Sequence, residues 1–200
     1  MSQGKQNGLT VKDLVTTGIF SALYLVFYML SGMFFAMNPV LTFYMPIATA
    51  LVCGPIYLLF VAKVQKRWSI TILGILMGIL MFVTGMHWSF ALAFLVLGLV
   101  AEGVAGHGAY KNKALNILSY MILSFSGTAS YLIFFANPES WAQSMLSNGT
   151  DQAYIDAMMS SGSTSVLLIM LLGTVAAGAL SGFIGSKLLK KQFEKAGITA

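Results

Sequence analysis

Long charge-poor apolar runs, separated by short basic clusters, constrain this chain more than any other feature. Residues 14–37 contain no Asp, Glu, Lys or Arg, and comparable runs follow at about 40–62, 69–85, 88–106, 114–136 and 164–189. A helix that crosses the hydrocarbon core needs roughly 20 such residues, because the core is about 30 Å thick and a helix rises about 1.5 Å per residue. The period-2 alternation of barrel strands is missing. The expected fold is an all-α integral membrane protein with six transmembrane helices. The runs use most of the 200 residues, so 1–200 reads as a single membrane domain.

Composition excludes other classes. The chain is 58% hydrophobic and 8% charged, against about 45–50% and about 25% for soluble domains. A water-soluble enzyme does not fit. The net charge of +5 does not make nucleic acid a partner, since that needs a continuous exposed basic face. The single Cys53 lies in an apolar run and reads as a small buried hydrophobe. It excludes a disulfide framework and a multi-Cys metal site.

The basic residues set the expected orientation. They lie in four segments: Lys5 and Lys12; Lys63, Lys66 and Arg67; Lys111 and Lys113; Lys187, Lys190, Lys191 and Lys195. With six spans all four fall on one side, and Glu139, Asp151 and Asp156 fall on the other. The positive-inside rule then places both termini in the cytoplasm of a cell-membrane protein. A cytoplasmic lead is expected over 1–13, with Asp13 as an N-terminal helix charge, and a cytoplasmic tail over 190–200. The lead is polar, and the run after it is longer than a signal h-region, so a cleaved signal peptide is not expected.

Residues 137–163 form a long external loop between the fifth and sixth helices. Trp141, Met145, Leu146, Tyr154, Ile155, Met158 and Met159 recur there at roughly helical spacing, which predicts short amphipathic helices on the membrane surface or over the bundle. Both a lid over a cavity and a solvated loop with interfacial anchors fit this pattern.

No zinc motif, P-loop or dinucleotide fingerprint occurs, and no resident cofactor or metal is expected. Ser126 is the nearest thing to a nucleophile, but His87 and His107 lie at opposite span ends, so the chain is not expected to be an enzyme. Glu102 is the one acid within a span. A structural pairing with Lys111, Lys113 or Arg67 is favoured for it over a proton relay. Small residues recur at close spacing in Gly18 with Ala22, Gly74 with Gly78, and Gly178, Gly182 and Ser186. Such rows permit close helix approach in lipid. Gly18, Ser21 and Ala22 form the candidate partner-binding row, with internal packing as the alternative. In span five, Asn116, Ser119, Ser126 and Ser130 form a polar stripe expected to face inward.

Polar and aromatic groups gather at the external span ends. Asn38, Tyr44, His87, Trp88, Tyr131, Asn137, Glu139 and Trp141 are the candidate substrate-binding residues. Without Lys or Arg among them, they suit a small neutral aromatic or heterocyclic ligand held by stacking and a few hydrogen bonds. Trp88 and Trp141 equally suit interfacial anchoring.

Six spans, both termini inside and a small-residue motif on the first span resemble the substrate-capture (S) component of energy-coupling factor (ECF) transporters. The chain looks most like their Trep-Strep or MptD-type branch. The resemblance runs from Leu9-Thr10-Val11-Lys12-Asp13 through the Asn38-Pro39 turn to the basic C-terminal segment. It implies capture of a vitamin or other micronutrient from outside, and partnership with a transmembrane coupling subunit and two ATPase subunits. The ATP would be used by those partners, and the loaded bundle would topple in the bilayer. The family's Ala-xxx-Ala motif on the first helix would fall on Gly18 and Ala22, the first of which departs to glycine. A vitamin B6-type compound is the first expectation for the ligand. The alternatives are a non-transporting scaffold or regulatory subunit, and a stand-alone facilitator.

Overall fold

The computed structural model describes residues 8–195; Lys5 of the lead and 196–200 of the tail lie outside them. Ten α-helices and no strand occur among the described residues. α1 (Val11–Ala36) leads through a 3-10 turn (Leu41–Tyr44) into α2 (Met45–Lys63). α3 (Ser69–Val83) and α4 (Trp88–His107) follow. α5 (Lys113–Ser124), a 3-10 turn (Phe125–Thr128) and α6 (Ala129–Ala136) form one broken rod. α7 (Pro138–Ser147) and α8 (Gln152–Ser161) occupy the long loop, and α9 (Thr164–Leu188) and α10 (Lys190–Lys195) end the chain.

Five segments are long and apolar enough to cross a membrane: Val11–Ala36, Leu41–Lys63, Trp88–His107, Lys113–Ala136 and Thr164–Leu188. The expected third span, α3, has 15 residues, a length of about 22 Å at about 1.5 Å per residue, short of the hydrocarbon thickness. α1 begins at Val11, inside the segment expected as the lead. The Thr10 hydroxyl accepts from the Asp13 N–H, and the Asp13 carboxylate accepts from the Thr10 N–H. This reciprocal capping box satisfies two N–H groups that would otherwise lack partners.

α1 shows what solvent the fold is built for. Its buried stripe is Thr17, Ser21, Tyr24, Tyr28 and Gly32, whereas Val15, Ile19, Phe27 and Phe34 are exposed. Burying hydroxyls and exposing large apolar side chains is stable only where the surroundings are themselves apolar. This is an integral membrane protein.

Breaks in the helices are answered by neighbours. Pro55 has no N–H to give the carbonyl four residues back, and the Ser181 hydroxyl of α9 donates to that Leu51 oxygen at 2.5 Å. The fifth run breaks because Ser124 and Thr128 turn their hydroxyls onto the carbonyls of Met121 and Phe125. Such local bonds compete with the helix, and Gly127 there lets the backbone approach the Tyr28 hydroxyl and Pro46. The polar stripe Asn116, Ser119, Ser126 and Ser130 is buried, as expected. Glycine is required between α3 and α4, where a Cβ on Gly74 would lie 2.5 Å from the Phe94 carbonyl oxygen and 3.2 Å from the Gly98 Cα.

Candidate functional site

At the bundle end opposite the clusters around Arg67 and Lys111, α7 and α8 fold back over the helix ends and enclose a cavity of about 300 Å³. Ala36, Thr42 and Met45 form one wall, Met86, His87 and Phe90 a second, and Ser130 and Tyr131 a third; Trp141, Met145, Tyr154 and Met158 supply the cover. The loop thus caps the bundle instead of lying apart from it. Three bonds fasten it: Trp141 Nε1 donates to Ser130 Oγ at 2.9 Å, Asn148 Nδ2 to the Gly85 carbonyl at 3.0 Å, and Tyr154 Oη to the Ala36 carbonyl at 2.8 Å. Trp141 also meets Phe134 edge-on, with ring centres 5.1 Å apart.

His87 is the polar group with the most defined chemistry. It precedes α4, and its Nδ1 accepts from the Ser89 N–H at 3.3 Å while lying 2.7 Å from Ser89 Oγ. An N–H can only donate, so Nδ1 is the unprotonated nitrogen and the neutral ring carries its proton on Nε2. Burial pushes the His87 imidazole below its usual pKa, which keeps it neutral at physiological pH. Across the cavity, the Tyr131 hydroxyl is shared with Thr42 Oγ1 at 3.0 Å and lies 3.8 Å from Met45 Sδ. Burial raises the Tyr154 phenol, which therefore stays a donor. Asp151 stands at the rim, where its carboxylate accepts from the Ala153 N–H at 2.7 Å. Among the described residues no Lys or Arg lines the cavity. The arrangement suits a small flat molecule gripped by rings and thioethers, with an acceptor for the His87 Nε2–H.

Of the eight candidate residues, the structure brings His87, Tyr131 and Trp141 together at this cavity. The other five do not line it. Asn38 and Asn137 are exposed capping residues: Asn38 accepts from the Val40 and Leu41 N–H groups and Asn137 from that of Ser140. Glu139 is exposed in the first turn of α7, and Tyr44 sits half-buried in the 3-10 turn. Trp88 lies tilted against His87, with ring centres 5.3 Å apart, and otherwise lines outer grooves with Leu92. Sequence reasoning missed Met45 and Met86, and named Met145 and Met158 only as apolar positions of the loop helices; all four line the cavity, and the 13 methionines of the chain were the available signal.

The expected partner row divides. Ser21 is buried and donates to the Thr17 carbonyl, so it belongs to the interior. A Cβ on Gly18 would meet nothing within 4 Å, and Ala22 is exposed. Glu102 does not pair with Lys111, Lys113 or Arg67 as expected. It accepts from the Ile70 and Thr71 N–H groups at 2.8 and 3.2 Å and from the Tyr110 hydroxyl.

A family model described as a hypothetical bacterial integral membrane protein, Trep_Strep, matches residues 11–195. The chain belongs to the Trep_Strep family. No curated protein and no solved structure matches it. The match to Trep_Strep spans both the enclosed cavity and the outward face of α1.

Proposed function

We propose that this Trep_Strep chain is the substrate-capture subunit of an ECF-type importer in the cell membrane. In this reading it crosses the bilayer six times, α3 included, with both termini cytoplasmic. It binds a small, largely neutral heterocycle at the external end and performs no covalent chemistry itself. A coupling subunit and two ATPase subunits supply the energy, and the bundle reorients to release the ligand inside. The observation that carries this reading is the cavity of about 300 Å³ enclosed by α7 and α8 and lined by His87, Tyr131 and Trp141. That volume lies at the small end of ligand sites, and the absence of basic lining argues against phosphorylated ligands.

The test is a thermal-shift screen of the purified chain against vitamins and nucleobases, with pyridoxine-type compounds first. A ligand at a thousandfold excess over its Kd stabilises the fold by about 4 kcal/mol, so one strong hit is expected. No shift with any of them would remove the capture reading in favour of a scaffold.

The outward Gly18 and Ala22 pair supports docking of the coupling subunit. Gly18→Leu is expected to leave stability and ligand binding unchanged while abolishing uptake in cells that carry the ATPase module. Unchanged uptake would place the partner contact elsewhere.

A further inference from the structure

At the basic end of the bundle a second cavity, of about 800 Å³, opens between the 64–68 loop and the 108–112 turn. All three non-glycine residues with left-handed backbone among the described residues line it: Trp68 (φ 75°), Ala109 (φ 50°) and Tyr110 (φ 60°). That conformation is unfavourable for any residue with a Cβ, so other contacts must hold both walls. Glu102 does so. Its carboxylate caps the Ile70 and Thr71 N–H groups just after Trp68, and takes the Tyr110 hydroxyl from the opposite wall. Asn116 Nδ2 adds a bond to the Tyr110 carbonyl at 3.0 Å.

These bonds decide the electrostatics of the cavity. The carboxylate charge is matched by the positive end of α3 and by a phenol. The Arg67 guanidinium instead lies 4.9 Å over the centre of the Trp68 ring, and it forms no ion pair among the described residues. The floor is different in kind: Leu99, Gly103 and Gly106 follow one another along one face of α4. A Cβ on Gly103 would meet nothing within 4 Å, so beside the tied carboxylate of Glu102 an open strip of small and apolar residues leads from the charged mouth along α4.

We propose that this cavity binds an anionic membrane lipid, with its phosphate on Arg67 beside Trp68 and an acyl chain along the strip formed by Leu99, Gly103 and Gly106. A guanidinium can grip phosphate through two parallel hydrogen bonds. Basic pockets between helices at the membrane surface suit anionic headgroups, and a half-exposed Trp suits the interface. Free phosphate would use the guanidinium but gain nothing from the strip, which decides for the lipid. Glu102 acts as a positioning residue.

The experiment uses the purified full chain in phosphatidylcholine nanodiscs, with phosphatidylglycerol added in one arm and inorganic phosphate in another. Tm and the lipids retained in native mass spectrometry are read. Phosphatidylglycerol is expected to raise Tm and to remain bound, while phosphate does neither. Arg67→Ala and Gly103→Leu, both at open positions, are expected to keep the phosphatidylcholine Tm but lose more than half of the phosphatidylglycerol-specific rise. Arg67→Lys, which keeps charge without the fork, is expected to fall between. Lys190→Ala is expected to match the wild type. An equal rise with inorganic phosphate, or full phosphatidylglycerol preference in Arg67→Ala and Gly103→Leu, would overturn the assignment.

Discussion

The two ends of this bundle are closed by opposite means. At the basic end a single buried carboxylate, Glu102, ties α3, α4 and the Tyr110 turn together through charge-assisted bonds, and braces the two segments that carry Trp68, Ala109 and Tyr110 in left-handed backbone. At the other end neutral groups do the work: Trp141 on Ser130, Tyr154 on a carbonyl, and Asn148 on a carbonyl. Bonds to charged groups are worth roughly twice as much as neutral ones. The basic end is therefore a fixed structural joint. The cover over the smaller cavity is held by separate neutral bonds, each weaker than those at Glu102.

Substitutions rank this difference. Glu102→Ala leaves two helix N–H groups and the Tyr110 hydroxyl without their acceptor, so a loss of about 3–5 kcal/mol is expected in equilibrium unfolding in detergent. A loss under about 1 kcal/mol would show that the joint is not fixed by this carboxylate. Trp141→Ala removes a buried ring and one hydrogen bond from the cover. Large-to-small changes of this type cost about 3–5 kcal/mol in rigid cores; a smaller loss, about 2–3 kcal/mol, is expected here because α7 can settle into the cavity. Hydrogen exchange should rise in α7 and α8 and stay constant in α2 and α9. Exchange that rises throughout the bundle would erase the distinction between cover and core.

Tyr154→Phe deletes one neutral bond, worth about 1 kcal/mol. The cover should then exchange faster, with little change in global Tm. His87 supplies a smaller, pH-dependent effect. Its folded pKa is depressed by burial, so below the unfolded value of about 6.5 the unfolded chain binds the proton that the folded chain resists. Stability should therefore be intact above that pH and decline as pH falls below it. His87→Gln should flatten the decline. A decline unchanged in His87→Gln would assign it to other groups.

Much of this was legible in the chain itself. Apolar runs announced the membrane, the spacing of Trp141, Ile155 and Met158 announced helices within the long loop, and the stripe from Asn116 to Ser130 announced an inward polar face. The shortness of α3 was legible too, since its run at 69–85 is the shortest of the six, although that run reads as a span. The cavity lining was not legible. Asn38 and Asn137 carry the same signal whether they bind a ligand or cap a helix, and methionine reads as ordinary apolar filling until several sulfurs converge.

The sequence by itself determined the solvent, the helices and the segregation of charge. These follow from the transfer free energies of individual residues, which depend on residue type and spacing alone. Only the tertiary structure decided which small residues touch, since Gly18 and Gly74 look alike in the chain yet face open space and a carbonyl respectively. It also decided that Ser181 answers Pro55, that Glu102 closes one end, and that His87, Tyr131 and Trp141 share a cavity at the other. Such pairings join residues far apart in the chain, and their energy depends on distances and angles that no local pattern encodes.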